Sequence, residues 1–132
     1  NYTRGQRGIK MYKLLIVDDE QIEREGMAHF IQWDKYDIQL CGTAWNGADA
    51  LGKIQKDVPD IVLTDIKMPV MDGLEATRRI RLKGGTLPII ALTANAYDSD
   101  RDKAFEAGCD DYMAKPIMAP ALREMIEKYF GE

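Results

Sequence analysis

Five times along this chain a short apolar run of strand length gives way to residues spaced as on a helix. The runs are Tyr12 to Val17, Ile38 to Ala44, Asp60 to Thr64, Pro88 to Thr93 and Tyr112 to Ala114. Several of them are apolar at consecutive positions, so neither of their faces can look into water. Such strands are buried on both sides and joined by helical crossovers, which makes the sheet mainly parallel and its connections right-handed. The expectation is an α/β chain with a five-stranded parallel sheet in the order 2-1-3-4-5, flavodoxin-like and doubly wound, carrying five helices.

The helices are written less evenly than the strands. In the first, Ile22, Met27, Phe30 and Ile31 are expected to share the inward side, with Gly26 costing about 1 kcal/mol relative to Ala. Asn46 caps the second, where Ala48, Leu51 and Ile54 recur at three-residue intervals until Val58 and Pro59 stop it. Asp72 with Glu75 opens the third, Leu74, Thr77 and Ile80 face inward, and Gly84 and Gly85 close it. The fourth, Asp98 to Ala107, has little apolar face beyond Ala104, Phe105 and Ala107 and is weakly anchored. The last carries a strong stripe of Leu122, Met125, Ile126, Tyr129 and Phe130.

With 132 residues, 45% hydrophobic and 30% charged, one domain is expected. Residues 1–10 are polar and read as a linker or a cloning-derived tail, and residues 11–132 form the ordered domain. The net charge is −4, and Arg4, Arg7 and Lys10 lie in that tail, so the remainder is more acidic still. Such a surface does not hold nucleic acid by charge. No apolar stretch approaches 18 residues and there is no secretory block, so a soluble, cytoplasmic domain without membrane insertion is expected. Cys41 and Cys109 belong to no paired motif and read as reduced, partly buried thiols.

Asp18 and Asp19 close "YKLLIVDD" and Asp65 closes "DIVLTD". In the order 2-1-3-4-5 these strands are neighbours, and their carboxyl ends lie where open α/β sheets bind ligands. Two ionised carboxylates about 4 Å apart repel by roughly 4 kcal/mol at an effective dielectric near 20, so three of them call for a cation. All-oxygen ligation with few carboxylates suits Mg²⁺, with Mn²⁺ as a substitute, and points to phosphoryl chemistry. Thr93 ends the fourth run, and Lys115, followed by Pro116, ends the fifth. A hydroxyl donor and a mobile ammonium there complete a set suited to phosphoryl oxygens.

With "VDDE", "DIVLTDIKMPVMDG", "LTA" and "KP" in this order, the chain resembles the receiver domain of two-component response regulators over residues 11 to 130. The resemblance implies that Asp65 is the phosphoacceptor, that Asp19, Asp65 and the Lys67 backbone carbonyl hold Mg²⁺, and that Asp18 assists through water. It implies that Thr93 and Lys115 grip the phosphoryl group, that Thr93 and Tyr112 act as a switch, and that the Lys115–Pro116 peptide is cis. Met68, Pro69 and Gly73 would shape the loop behind the acceptor, and Lys67 and Asn95 would tune dephosphorylation. The partners implied are a sensor histidine kinase or a histidine phosphotransfer domain, with a homodimer through the fourth helix, fifth strand and fifth helix.

Each residue has a plainer reading. An aspartate before a helix is usually a cap, a strand-end threonine an ordinary hydroxyl, a terminal lysine a solvated charge, and a strand tyrosine core packing. His29, the one histidine, reads as a surface residue rather than a phosphodonor. Three other functions stay open: a Mg²⁺-dependent phosphohydrolase with an aspartyl nucleophile, a docking module that takes no phosphate, and, weaker, a nucleotide-binding domain. The first lacks its DxD arrangement, the second has no reason to keep the acidic pair, acceptor, threonine and lysine together, and the third lacks GxGxxG and P-loop patterns. The first half of the chain resembles receivers joined to DNA-binding modules and "ALTANAYDSDRDKAFEAGCDDYMAKPI" resembles receivers fused to sensor kinases; a fragment of either, a stand-alone regulator and a chain joined from two receivers all stay open, and a receiver cut from a larger signalling protein is the favoured expectation.

Overall fold

The computed structural model describes residues 11–65, 73–93 and 98–131, and of residues 73 and 98–100 the backbone alone. Lys67, Met68, Pro69, Asp72 and Asn95 lie outside the described residues, as does the tail 1–10.

The strands are β1 (Tyr12–Val17), β2 (Ile38–Ala44), β3 (Ile61–Asp65), β4 (Ile89–Thr93) and β5 (Asp111–Ala114). The helices are α1 (Gln21–Phe30), α2 (Gly47–Lys56), α3 (Gly73–Leu82), α4 (Asp98–Ala107) and α5 (Ala119–Phe130), with a 3₁₀ turn at Trp33–Tyr36 between α1 and β2. All neighbouring strands are parallel and run in the order β2-β1-β3-β4-β5. Val17 pairs with Thr64, Asp65 with Leu92 and Thr93 with Ala114, which levels the carboxyl ends of four strands along one edge.

Consecutive strand residues point to opposite faces, and both faces are covered. Leu14, Ile16, Ile61, Leu63, Ile90 and Leu92 join the cluster that includes Leu122 and Met125 of α5. Leu15, Val17, Val62, Ile89 and Ala91 join the opposite cluster, which takes in Ala50 of α2, Ile80 of α3 and Ala104 of α4. β3 and β4 are buried at every position, which is why their sequences show no alternation.

Two helix faces differ from the expected ones. In α1 only Met27 is buried, while Ile22 and Phe30 are each 87% exposed. Ile22 stands five residues before Met27, about 140° away around a helix of 3.6 residues per turn. Phe30 is the last residue of the helix, and its ring borders an open groove instead of the core. In α2 the inward stripe runs through Gly47, Ala50, Leu51 and Ile54, a true i, i+3, i+4, i+7 set, and Ala48 faces solvent. Asn46 caps α2 as expected, its side-chain oxygen accepting from the Asp49 N–H at 2.8 Å. Gly84, at φ +82, makes the left-handed turn after α3.

Arg81, in the last turn of α3, ties together the sheet's other end. Its guanidinium donates to the carbonyls of Gly108, Gly85 and Leu87, each at 2.9 Å, and to the Asp110 carboxylate at 2.8 Å. The same Asp110 oxygen accepts from the Ile89 N–H at 2.8 Å. Gly108 follows α4 at φ +108, and a Cβ there would stand 2.8 Å from Arg81 Cγ. Among the described residues no helix is long and apolar enough to cross a membrane.

Candidate functional site

The site lies where β1 and β3 end. Both strands are pinned in register by apolar side chains on two faces, so the residues at and after their last positions have little freedom. Asp18, Asp19 and Asp65 each bring a carboxylate oxygen to within 4.8 Å of the other two. Asp18 is fully buried, Asp65 is 7% exposed, and Asp19 is the more open of the three.

Asp18 is held from several sides. Its Oδ1 accepts from the Glu20 N–H at 2.9 Å, and its backbone carbonyl accepts from Arg24 Nη1 at 2.8 Å. Burial pushes its carboxyl up to about 6; the Glu20 N–H and the Lys115 charge oppose this without reversing it, and the Asp65 charge adds to it. A buried carboxylate with a like charge beside it is an electrostatic debt that a divalent cation would relieve. The donor set is all oxygen and all carboxylate, two of its three members fixed at buried strand ends, and it fits a hard ion such as Mg²⁺.

Lys115 follows β5 directly, with its N–H donating to the Thr93 carbonyl at 2.8 Å, and the Lys115–Pro116 peptide is cis. Its ammonium reaches back across the sheet edge to Asp65 Oδ2 at 3.3 Å and Asp18 Oδ2 at 3.4 Å. A third carboxylate, Glu23 on α1, takes the shortest contact at 2.7 Å. Burial by itself would lower the Lys115 pKa, but the Glu23 hydrogen bond and the charges of Asp65 and Asp18 outweigh it, and the net shift is upward. The same hydrogen bond holds Glu23 below the ordinary carboxylate range.

Thr93 is the last residue of β4 and 4% exposed, so its hydroxyl is placed at the same edge by strand register. Tyr112 sits one position inside β5, half-buried, against the second core cluster. Its ring meets Phe105 of α4 edge-on at 6.3 Å, and the Arg101 guanidinium lies 5.9 Å from its centroid. The expected set thus divides by place: Asp18, Asp19, Asp65 and Lys115 converge in one cluster, Thr93 shares their edge, and Tyr112 stands away from them toward α4. Gly73 begins α3. His29 is exposed on α1, and Cys41 and Cys109 are free thiols.

Glu23 was not expected from the sequence. The signal that could have found it is a carboxylate near the first turn of the helix that follows the acidic pair, on the side facing the fifth strand's end. Arg24, which fixes the Asp18 carbonyl, is equally unmarked.

The family model of the response regulator receiver domain matches residues 14–127. The sensor histidine kinase RcsC of Salmonella typhi is 40% identical over 116 residues, 88% of this chain and 12% of that protein. The response regulator MprA of Mycolicibacterium vanbaalenii is 39% identical over 116 residues, again 88% of this chain, and 48% of that protein. The chain therefore spans half or less of the curated relatives it matches. Among solved structures, the receiver domain of the response regulator AraT from Geobacillus stearothermophilus superposes with a TM-score of 0.78 at 33% identity, covering 90% of this chain and 92% of that one. The receiver domain of the sensor histidine kinase PA1611 from Pseudomonas aeruginosa, solved with magnesium in its active-site cleft, gives 0.78 at 31% identity, covering 92% and 99%. By sequence, by strand order and by the placement of its acidic cluster, this chain belongs to the response regulator receiver domain family.

Proposed function

We infer that this receiver takes a phosphoryl group from a phosphohistidine donor onto Asp65. The observation that carries the reading is the convergence of the Asp18, Asp19 and Asp65 carboxylates with the Lys115 ammonium at the carboxyl ends of β1, β3 and β5. One Asp65 oxygen bonds to phosphorus as the bond from phosphorus to the donor imidazole breaks, and the imidazole leaves with the electron pair. Negative charge spreads over three equatorial oxygens in a loose transition state. Lys115 donates to one of them and the Thr93 hydroxyl to another.

Asp19, Asp65 and the Lys67 carbonyl hold Mg²⁺ or Mn²⁺, with Asp18 assisting through water. When bound, the ion supplies positive charge against the acceptor and the transferring oxygens. The magnesium in the PA1611 receiver, at 31% identity, supports the same ion here.

After transfer Thr93 moves toward the new oxygens, Tyr112 turns into the space it leaves, and the face made by α4, β5 and α5 changes. A sensor histidine kinase or a histidine phosphotransfer domain in the cytoplasm is the donor, and the α4–β5–α5 face is the surface for an output partner or a second copy. The acidic body makes direct nucleic-acid binding by this domain unfavourable. Transfer is stoichiometric, one group per chain, without multi-turnover hydrolysis.

The test is intact-mass spectrometry of the magnesium-loaded protein after incubation with acetyl phosphate. A single phosphoryl adduct is expected, lost in Asp65→Ala. No adduct, or an equal one in that variant, overturns the reading. Lys67 and Asn95 set how water reaches the acyl phosphate, so exchanging Lys67 for a small neutral residue changes the decay rate of the adduct. An unchanged decay rate removes Lys67 from that role.

A further inference from the structure

An ammonium has three protons, and those of Lys115 face three carboxylates on three different elements. The shortest of these contacts, 2.7 Å, goes to Glu23 on α1, against 3.3 and 3.4 Å to Asp65 and Asp18. Glu23 is also the outermost partner, its side chain 50% exposed where those of Asp65 and Asp18 are 10% and 0% exposed. We propose that Glu23 is a positioning residue that parks the Lys115 ammonium on the outer side of the cluster and releases it to the phosphoryl group on Asp65.

The inference rests on Asp65 being the phosphoacceptor. A new phosphoryl oxygen must displace one of the three existing acceptors. Losing Asp18 would strand a fully buried carboxylate, whereas Glu23, once released, is rehydrated where it stands. Glu23 therefore yields first. Until it yields, it competes for the donor that the transferring oxygens need, and its charge adds to the repulsion that an anionic donor meets at the site. Both effects slow transfer, so removing the Glu23 carboxylate speeds it. The Lys115–Glu23 contact thus acts as a brake on uptake, set by an exposed side chain at the outer margin of the acidic cluster, beside Asp18.

The test uses acetyl phosphate in place of a protein donor, so that docking of a partner on α1 plays no part. The Asp65 oxygen bonds to phosphorus, the bond from phosphorus to the acyl oxygen breaks, and acetate leaves with the electron pair. Glu23→Gln should raise the second-order rate constant for this step roughly 1.5- to 5-fold, the range expected for one partly exposed charged contact. Its melting temperature should stay near that of the parent. Placed in a Lys115→Ala background, the same substitution should have little effect, because Glu23 then has nothing to withhold. In the metal-free protein the Lys115 ammonium should exchange its protons with water faster in Glu23→Gln than in the parent, read by ¹H–¹⁵N NMR. Equal or slower uptake in Glu23→Gln overturns the proposal, and so does an equal acceleration without Lys115, which would make Glu23 a bare charge. If the parent takes up no phosphoryl group, the phosphoacceptor reading has failed, while ammonium exchange still decides whether Glu23 holds Lys115. Unchanged exchange overturns the parking whatever the adduct does.

Discussion

Where β1 and β3 end, the last four residues of β1 and all five of β3 are buried, and the cluster inherits that rigidity. At the other side of the sheet β5 is a four-residue edge strand in which Met113 alone is buried, and the neighbouring α4 buries only Ala104 and Ala107 among its described side chains. The two regions share one sheet and differ in how much apolar surface fixes them. Phosphoryl chemistry needs groups held to a fraction of an ångström, which packing on two faces supplies. A surface that must change when a distant group is added needs the opposite, a small free-energy gap between arrangements. For the proposed transfer and switch, a fold divided into a stiff side and a soft side would meet both needs within one sheet.

Core truncation is the harshest way to probe that contrast. Leu63→Ala, on β3, should cost about 2–5 kcal/mol in chemical denaturation, as buried leucines do. Phe105→Ala, on α4, should cost about 1 kcal/mol or less because its ring is 43% exposed. Comparable losses at the two positions would break the distinction. Arg81→Ala should fall between them, at about 2–3 kcal/mol, since one partly buried guanidinium satisfies three carbonyls and a carboxylate. Hydrogen exchange should then quicken at the end of α4 that meets Gly108 and leave β1 and β3 protected.

A subtler test uses pH. The Asp18 carboxyl is raised to about 6 by burial, so in the metal-free protein its contribution to stability is fully present below its ordinary value of 3.8 and is lost as pH rises through about 6. Asp18→Asn keeps an acceptor for the Glu20 N–H and removes the charge. At pH 7.5 the metal-free variant should therefore be more stable than the parent by about 1–2 kcal/mol, a gap that shrinks toward pH 5. Magnesium should narrow the gap by stabilising the parent alone. A gap that is independent of pH would place the strain elsewhere than in the Asp18 charge.

The stiff side was the legible one. Five apolar runs, their order and the residues at their ends were all readable, because strands buried on both faces leave continuous apolar stretches and because a receiver's motifs sit at strand ends. Helix faces were harder. Ile22, Phe30 and Ala48 are apolar and exposed, and a pattern read from hydrophobicity alone assigns them inward. Glu23 and Arg81 were invisible for a different reason. Each acts through partners 92 and up to 29 positions away in sequence, and a charged residue on a helix surface carries no mark of what lies across from it.

The Arg81 fork has a mechanical corollary. It anchors the carboxyl-terminal end of α4 through Gly108, so any tilt of this helix against the sheet swings about that end as a lever about its fulcrum. Ten residues at 1.5 Å each give an arm of about 15 Å, and a 10° rotation then carries the far end, the one that follows β4, by about 2.5 Å. Amplification of that size would come from placing the pivot at the opposite rim of the sheet from the acidic cluster, and it would be lost if both ends of the helix were equally free.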